Sequence, residues 1–296
     1  MSSNTASKQI SVTRALGVIF FSAIICNTLA YIGIRAYFTS NKNAKVNFIT
    51  AIVQTGPQKE ALKTDYLAEL LSLTKDSPPL VSHFSLSKAK ERLLSSPVIK
   101  EAKVQILQPG ILYVDYTVRQ PLALISDLEN TAVDEHGVLF PLNPFFPPKN
   151  LPEFYLGLPR EAMKWKMPLA CREYILAEQL FHLFYQPALQ ELFHLKKIDV
   201  SKAFDESFAR REIVVTLEDE IAIRAEGREV VCFFPRLLRL STKNYAAALN
   251  NYLSFRQELL ETERTKFSAF TGVENQIRMP ERVVDLRIPE VAFLDE

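Results

Sequence analysis

The chain has 296 residues, 48% of them hydrophobic and 23% charged, which suits one or two compact domains and excludes an intrinsically disordered chain. Lys and Arg total 35 against 34 Asp and Glu, a formal net charge of +1, so no global field gathers nucleic acid or acidic substrates. Its three cysteines, Cys26, Cys171 and Cys232, lack the short spacing of a structural zinc site; buried thiols fit them, and so does a Cys171 to Cys232 disulfide in an oxidising compartment.

The first element is Ala15 to Ile34, bracketed by Arg14 and Arg35 with no charge between them. A helix of about 20 residues spans about 30 Å, the thickness of bilayer hydrocarbon, so the stretch predicts a single membrane-spanning helix behind a short tail, residues 1–14. The run is longer than a signal-peptide core, and Tyr31, Tyr37 and Phe38 supply an interfacial aromatic girdle, which favours an uncleaved anchor. Basic residues stand on both sides, Lys8 and Arg14 before and Arg35, Lys42 and Lys45 after, and their count does not choose an orientation.

Beyond the anchor, residues 46–55 have strand composition and are closed by Gly56-Pro57. Residues 61–74 place Leu62, Tyr66, Leu67, Leu70 and Leu71 at helical spacing, and residues 85–96 form a second helix that Ser85 or Ser87 can cap, with Leu86, Ala89, Leu93 and Leu94 on its apolar face. Two strands follow, 98–107 and 111–125, separated by Gln108-Pro109-Gly110. In the second, Leu112, Val114, Tyr116 and Val118 alternate with Ile111, Tyr113, Asp115 and Thr117. Residues 46–125 therefore read as a β-α-α-β-β unit whose helices cover one side of a sheet.

That order, with Leu94, Pro97, Val98, Ala102, Val104, Pro109, Leu112, Val114, Pro121 and Ala123 in the stretch from Leu94 to Ile125, resembles the POTRA domain of the bacterial cell-division FtsQ/DivIB family. The chain departs from the family pattern at Val118-Arg119-Gln120 and at Thr55-Gly56-Pro57. Further along, Val133, Asp134, Gly137, Val138 and Phe140, then Leu151, Pro152, Phe154 and Gly157, and finally Val284-Asp285-Leu286-Arg287 are similar to the family's later motifs in the same order. Physically, Asp134-x-x-Gly137 is a turn between strands, with a side-chain acceptor and a residue tolerant of positive φ; a catalytic Asp134 has no partner cluster in the sequence.

Residues 169–193 are a helical candidate that Pro187 should split after Tyr185 or Gln186. Strands are expected at 195–202, 211–219, 220–227 and 228–234, with Glu218-Asp219 and Gly227 turning the chain. A second helix follows at 242–264, with Tyr245, Ala248, Leu249, Tyr252, Leu253 and Leu260 on one face, and then a closing strand in which Val284, Leu286 and Ile288 alternate with Asp285 and Arg287. The fold class predicted is thus α+β: one N-terminal transmembrane helix (15–34), a POTRA-like domain (46–125) and a mixed β domain with flanking helices (126–296).

No P-loop, GxGxxG, HExxH, GxSxG or CxxC motif occurs, and His83, His136, His182 and His194 are scattered, so neither catalysis nor a cofactor is expected. The resemblance implies a scaffold in the bacterial inner membrane, with a cytoplasmic N-terminus and periplasmic domains, that joins the cell-division complex and helps control septal peptidoglycan synthesis. Its partners would be FtsB/FtsL-like anchored coiled-coil proteins and other divisome proteins, with no nucleic acid and no small-molecule substrate. Carried onto this chain, the partner-binding region includes Tyr245, Tyr252, Val284, Leu286, Ile288 and Phe293. If the closing strand lies near a sheet edge, it can receive a partner's strand through main-chain hydrogen bonds. The competing readings are a membrane-anchored envelope enzyme and a POTRA-type assembly or secretion component.

Overall fold

A computed structural model describes residues 22, 24–36, 48–74, 76–108, 110–147, 150–225, 228–267 and 276–295. Residues 1–21 and 23 lie outside that set, and with them the expected tail and part of the expected 15–34 span. Residues 24–36 are helical (α1) and exposed throughout. The Thr28 hydroxyl donates back to the Ile24 and Ile25 carbonyls at 2.7 and 2.9 Å, so its polar atom is satisfied within the helix. Among the described residues no helix is long and apolar enough to cross a membrane.

The remainder is a mixed α+β structure built on two sheets. The smaller has three strands, β1 (Ala51–Thr55), β2 (Ile99–Gln108) and β3 (Ile111–Val118), in the order β1-β3-β2; β1 runs parallel to β3 and β2 antiparallel. Helices α2 (Thr64–Leu70) and α3 (Leu86–Ser95) connect β1 to β2, giving the expected β-α-α-β-β order, and the Ser85 hydroxyl accepts from the Lys88 amide as the cap of α3. The alternation read in β3 is the alternation found: Leu112, Val114, Tyr116 and Val118 are buried, and they meet Leu67, Ala89 and Leu93 of the helices in one core.

The expected strand 111–125 does not run through. It stops at Val118, and Ala123–Ile125 (β4) belongs to the second sheet. Pro121 lies between and has no N–H to continue a ladder. The second sheet has ten strands: β4, β5 (Thr131–Val133), β6 (Leu139–Pro141), β7 (Glu153–Tyr155), β8 (His194–Asp199), β9 (Ile213–Ala225), β10 (Arg228–Leu240), β11 (Gln276–Arg278), β12 (Arg282–Asp285) and β13 (Phe293–Leu294). Its order is β13-β12-β10-β9-β8-β7-β4-β5-β6, with β11 also paired to β10. Helices α4 (Arg172–Phe184), α5 (Pro187–Gln190) and α6 (Tyr245–Phe267) accompany it, and Pro187 starts α5 at the position where it divides the predicted helix.

The β5–β6 hairpin turns on Asp134-x-x-Gly137. Asp134 Oδ1 accepts from the His136 and Val138 amides, both at 2.9 Å, and Gly137 takes φ +72°. A Cβ there would sit 2.9 Å from the Tyr174 ring, so the position requires glycine for space as well as for conformation. Both faces of this hairpin are buried. Val133 and Leu139 enter the core of the larger sheet with Phe154, Phe181 and Leu238, while Ala132, Phe140 and Leu142 enter the core of the smaller one. Phe146 packs edge-on against Phe140, Phe145 against Tyr66, and Arg119 Nη1 reaches Asp134 Oδ2 at 2.6 Å. Chain beyond residue 126 thus closes the hydrophobic core of the three-stranded unit.

A second departure concerns Glu218-Asp219, expected as a turn. β9 continues through both, opposite Pro235 and Phe234 of β10. Neither carboxylate needs solvent, because each is met by cations. Lys196 and Arg278 lie 2.8 and 3.1 Å from Glu218, and Arg256 lies 2.6 Å from Asp219.

Phe140→Ala should cost about 3–5 kcal/mol. Because its hairpin lines both cores, calorimetry should give one transition at lower temperature; two transitions of which one alone moves would contradict the shared core.

Candidate partner interface

The larger sheet ends at β12 and β13, and this end carries the C-terminal residues singled out from sequence. β12 pairs in parallel with β10, Leu238 opposite Val284 and Arg239 opposite Asp285, and the Leu286 amide prolongs that row by donating to the Arg239 carbonyl at 2.8 Å. The period of two then sorts the side chains. Val284 and Leu286 are buried in the core of the larger sheet, whereas Asp285 and Arg287 turn to the other face. The predicted continuation as a strand through Ile288 does not form: β12 ends at Asp285, and Pro289 and a left-handed Glu290, φ +62°, turn the chain back.

On the outer face two carboxylates hold three cations. Arg239 donates to Glu212 Oε2 through Nε at 2.8 Å and Nη2 at 2.5 Å, and its Nη1 lies 3.3 Å from Asp285. Arg287 donates to Asp285 Oδ2 at 2.6 Å and lies 3.7 Å from Glu212, while Lys202 reaches Glu212 at 3.5 Å. Burial raises the Asp285 carboxyl, but hydrogen bonds and charge from Arg287, with Arg239 behind them, outweigh it and hold the group below the usual carboxylate range. Beside this cluster the Arg211 guanidinium stacks 4.0 Å over the ring of Phe208, and Lys243 lies 5.9 Å from the same ring. Among the described residues neither Arg211 nor Lys243 is paired with a carboxylate, so the rim carries excess positive charge.

Two clefts open along this end. One, of about 460 Å3, lies among Phe208, Arg211, Asp285, Arg287, Ile288 and Phe293. The other, of about 270 Å3, lies between α6 and the post-β12 turn and is lined by Ala247, Ala248, Leu286, Arg287, Ile288 and Pro289. Arg287 and Ile288 border both. Ile288 is 54% exposed, Phe293 55% and Phe208 73%, so the clefts are flanked by a row of uncovered apolar side chains.

The six residues nominated from sequence fall into two groups. Ile288 and Phe293 are reachable by a partner, and Tyr245, half-buried at the start of α6, packs against the core. Tyr252, Val284 and Leu286 are inside. Val284 is flanked by Leu238 of β10 and Leu294 of β13 and the Leu286 amide is spent on Arg239, while the Tyr252 hydroxyl donates to Asp219 Oδ2 at 3.3 Å beneath the sheet. Sequence reasoning did not find Phe208, Arg211 or Lys243. Phe208 belongs to a 3-10 turn far upstream and has no periodic neighbours, so only the register of β9 on β10 brings it here.

Toward the other end of β12, charges are buried rather than displayed. Arg236, 1% exposed, makes a two-pronged ion pair with Glu263 of α6 at 3.0 and 2.5 Å, and Arg282 Nε lies 3.4 Å from the same carboxylate. Arg256 donates to Asp219 at 2.8 Å and to the Leu192 carbonyl. These bonds fasten the second half of α6 to the sheet, where Leu260 is its buried apolar side chain among the described residues. Among the described residues no group of three or more His, Cys, Asp or Glu is placed to hold a metal ion. The two cysteines beyond α1 occupy separate surroundings, Cys171 at the start of α4 and Cys232 in a small cluster with Val230 and Phe234, and burial raises both thiols.

Compared with protein-family models and with curated proteins, the chain matches none.

Two measurements check this electrostatic description. Arg236→Met leaves Glu263 with only the more exposed Arg282 at 3.4 Å and should cost about 3–5 kcal/mol in urea unfolding, while the pair Arg236→Met with Glu263→Leu should recover most of that loss. Asp285 has a folded pKa below its unfolded one, so its stabilisation is present above about pH 4 and is lost as pH falls through the folded value. The stability gap between the native chain and Asp285→Asn should be open at pH 7 and narrow as pH falls below the usual carboxylate range; a gap unchanged with pH would refute the assignment.

Proposed function

We infer that this chain is a non-enzymatic, single-span membrane scaffold of the bacterial cell-division complex, with both folded units outside the cytoplasm and the larger one docking an FtsB/FtsL-like pair of anchored coiled coils. The observation that carries the reading is the terminal end of the larger sheet. The short terminal strands β12 and β13, two clefts of mixed polar and apolar lining and a rim with excess positive charge converge there on Ile288 and Arg287. Such an end suits a partner segment that adds main-chain hydrogen bonds to the edge, sets an apolar side chain beside Ile288 and brings a carboxylate to Arg287 or Arg211.

Three further features support it. The β-α-α-β-β unit agrees with the POTRA domain that the sequence resembles. Ile24, Ile25, Leu29, Ile32 and Ile34 of α1 are all exposed, as suits part of an anchor in the bacterial inner membrane. Cohesion of the two units through the β5–β6 hairpin suits a rigid adaptor linking early and late divisome proteins. Anchoring makes the chemistry undemanding: confining scaffold and partners to one membrane raises their effective concentration, so modest contacts hold the assembly and bring septal peptidoglycan synthesis under its control.

The test uses the full chain, tagged at its N-terminus in its native cell and crosslinked in the membrane. Ile288→Lys probes the surface without entering the core, where Leu286→Lys would unfold it. Exposed Trp165→Ala, whose indole N–H donates to Thr131 at 3.2 Å on another part of the sheet, serves as the control. Capture of small anchored coiled-coil proteins should fall about tenfold in Ile288→Lys, the scale of a lost interface anchor, and stay level in the control. Absence of such proteins from every form would sink the reading.

A further inference from the structure

The outer edge of β12, where a partner's strand would add, is already occupied by Phe293 and Leu294 of the same chain. After Asp285 the chain turns through Pro289 and the left-handed Glu290, with the Val291 amide donating to the Ile288 carbonyl at 3.3 Å. It then runs antiparallel along β12, Phe293 opposite Asp285 and Leu294 opposite Val284, and the Asp295 amide donates to the Val283 carbonyl at 3.1 Å.

Little holds this segment in place. Its strand is two residues long, and both side chains face solvent, Phe293 at 55% and Leu294 at 47% exposure. Within 291–295 only Ala292 packs against the core of the larger sheet. A strand integral to a sheet buries alternate side chains, as β3 does; this one satisfies the backbone row of β12 and leaves each of its side chains only about half covered. Its composition matches the neighbouring cleft. The segment is apolar between two acids, Glu290 and Asp295, and Phe293 lines the cleft whose rim is Arg211 and Arg287.

We propose that residues 291–295 are an internal competitor for the β12 edge: they hold the strand position in cis, and their departure opens it to a partner's strand. The proposal rests on the docking reading above and adds its regulation. The tail is tethered a few residues from its site, so its effective concentration is on the order of mM. A soluble peptide of equal pairing length therefore loses to it. The successful competitor is an extended apolar segment with a carboxylate that pairs with more of Arg282–Leu286 than two residues or is itself held in the same membrane.

The experiment takes the full membrane-inserted chain in three forms: native, terminated after Glu290, and Phe293→Pro, which keeps the length but removes the N–H opposite Asp285. Amide exchange is read across Arg282–Leu286, with the inward-donating Leu286 amide as internal control. The Asp285 amide should exchange at least tenfold faster in both altered forms while Leu286 is unchanged, and a synthetic peptide of residues 289–296 at mM concentration should restore protection to the terminated form only. Unchanged exchange at Asp285, or no restoration by the peptide, overturns the proposal. In parallel membrane crosslinking, the terminated form should capture several-fold more anchored partner than the native chain. Equal or lower capture, with Ile288→Lys still abolishing it, overturns competition and leaves the docking reading standing; no capture by any form removes the docking reading and the competition with it.

Discussion

Everything else in this molecule depends on the β5–β6 hairpin having no solvent face. Three-residue strands are too short to be stable alone, and these persist because each surface is claimed by a different core, Val133 and Leu139 on one side and Ala132 and Phe140 on the other. Separating the two units would expose both surfaces and unpair Arg119 from Asp134, a buried ion pair whose disruption leaves an uncompensated charge. The ten-stranded sheet can therefore carry a loosely held edge at one end because its other end is built into the three-stranded unit.

That far end is organised on the opposite principle. Where the hairpin buries everything, β12 buries one side chain in two and leaves the next on a charged outer face, and the chain after it exposes Ile288, Val291, Phe293 and Leu294 in succession. Two acids hold three bases there, and Arg211 and Lys243 rest against an aromatic ring rather than a carboxylate. Apolar and basic features side by side on a sheet edge fit recognition better than stability, since neither gains much for the folded chain alone.

What the sequence made legible was what local chemistry decides. The alternation in β3, the Ser85 cap, the Asp134-x-x-Gly137 turn and the division of the helix at Pro187 are all set by near neighbours, and the structure contains each. What it concealed is decided by distant partners. Glu218-Asp219 has turn composition but lies inside a 13-residue strand, because Lys196, Arg278, Arg236 and Arg256 arrive from four other elements to neutralise it. Of the candidate site, the backbone row of β12 was visible in its alternation, whereas burial of Tyr252 and Leu286 and the arrival of Phe208 and Arg211 depend on how α6 and β9 pack, which no window of neighbouring residues encodes.

The ion pairs under α6 bear on how this sequence can drift. Each of Asp219, Arg236 and Glu263 is costly to change alone, because losing one upsets the charge balance of a dry interior that Arg256 and Arg282 complete, whereas an apolar replacement of the whole group is nearly neutral. Single-step change is blocked and concerted change is rare, so the cluster works as an evolutionary ratchet. Invariance of Arg236 among relatives would then record the difficulty of leaving an arrangement once adopted, and variation at Arg211, Lys243 and Ile288, which are free to change one at a time, would be the better register of selection on this end of the sheet.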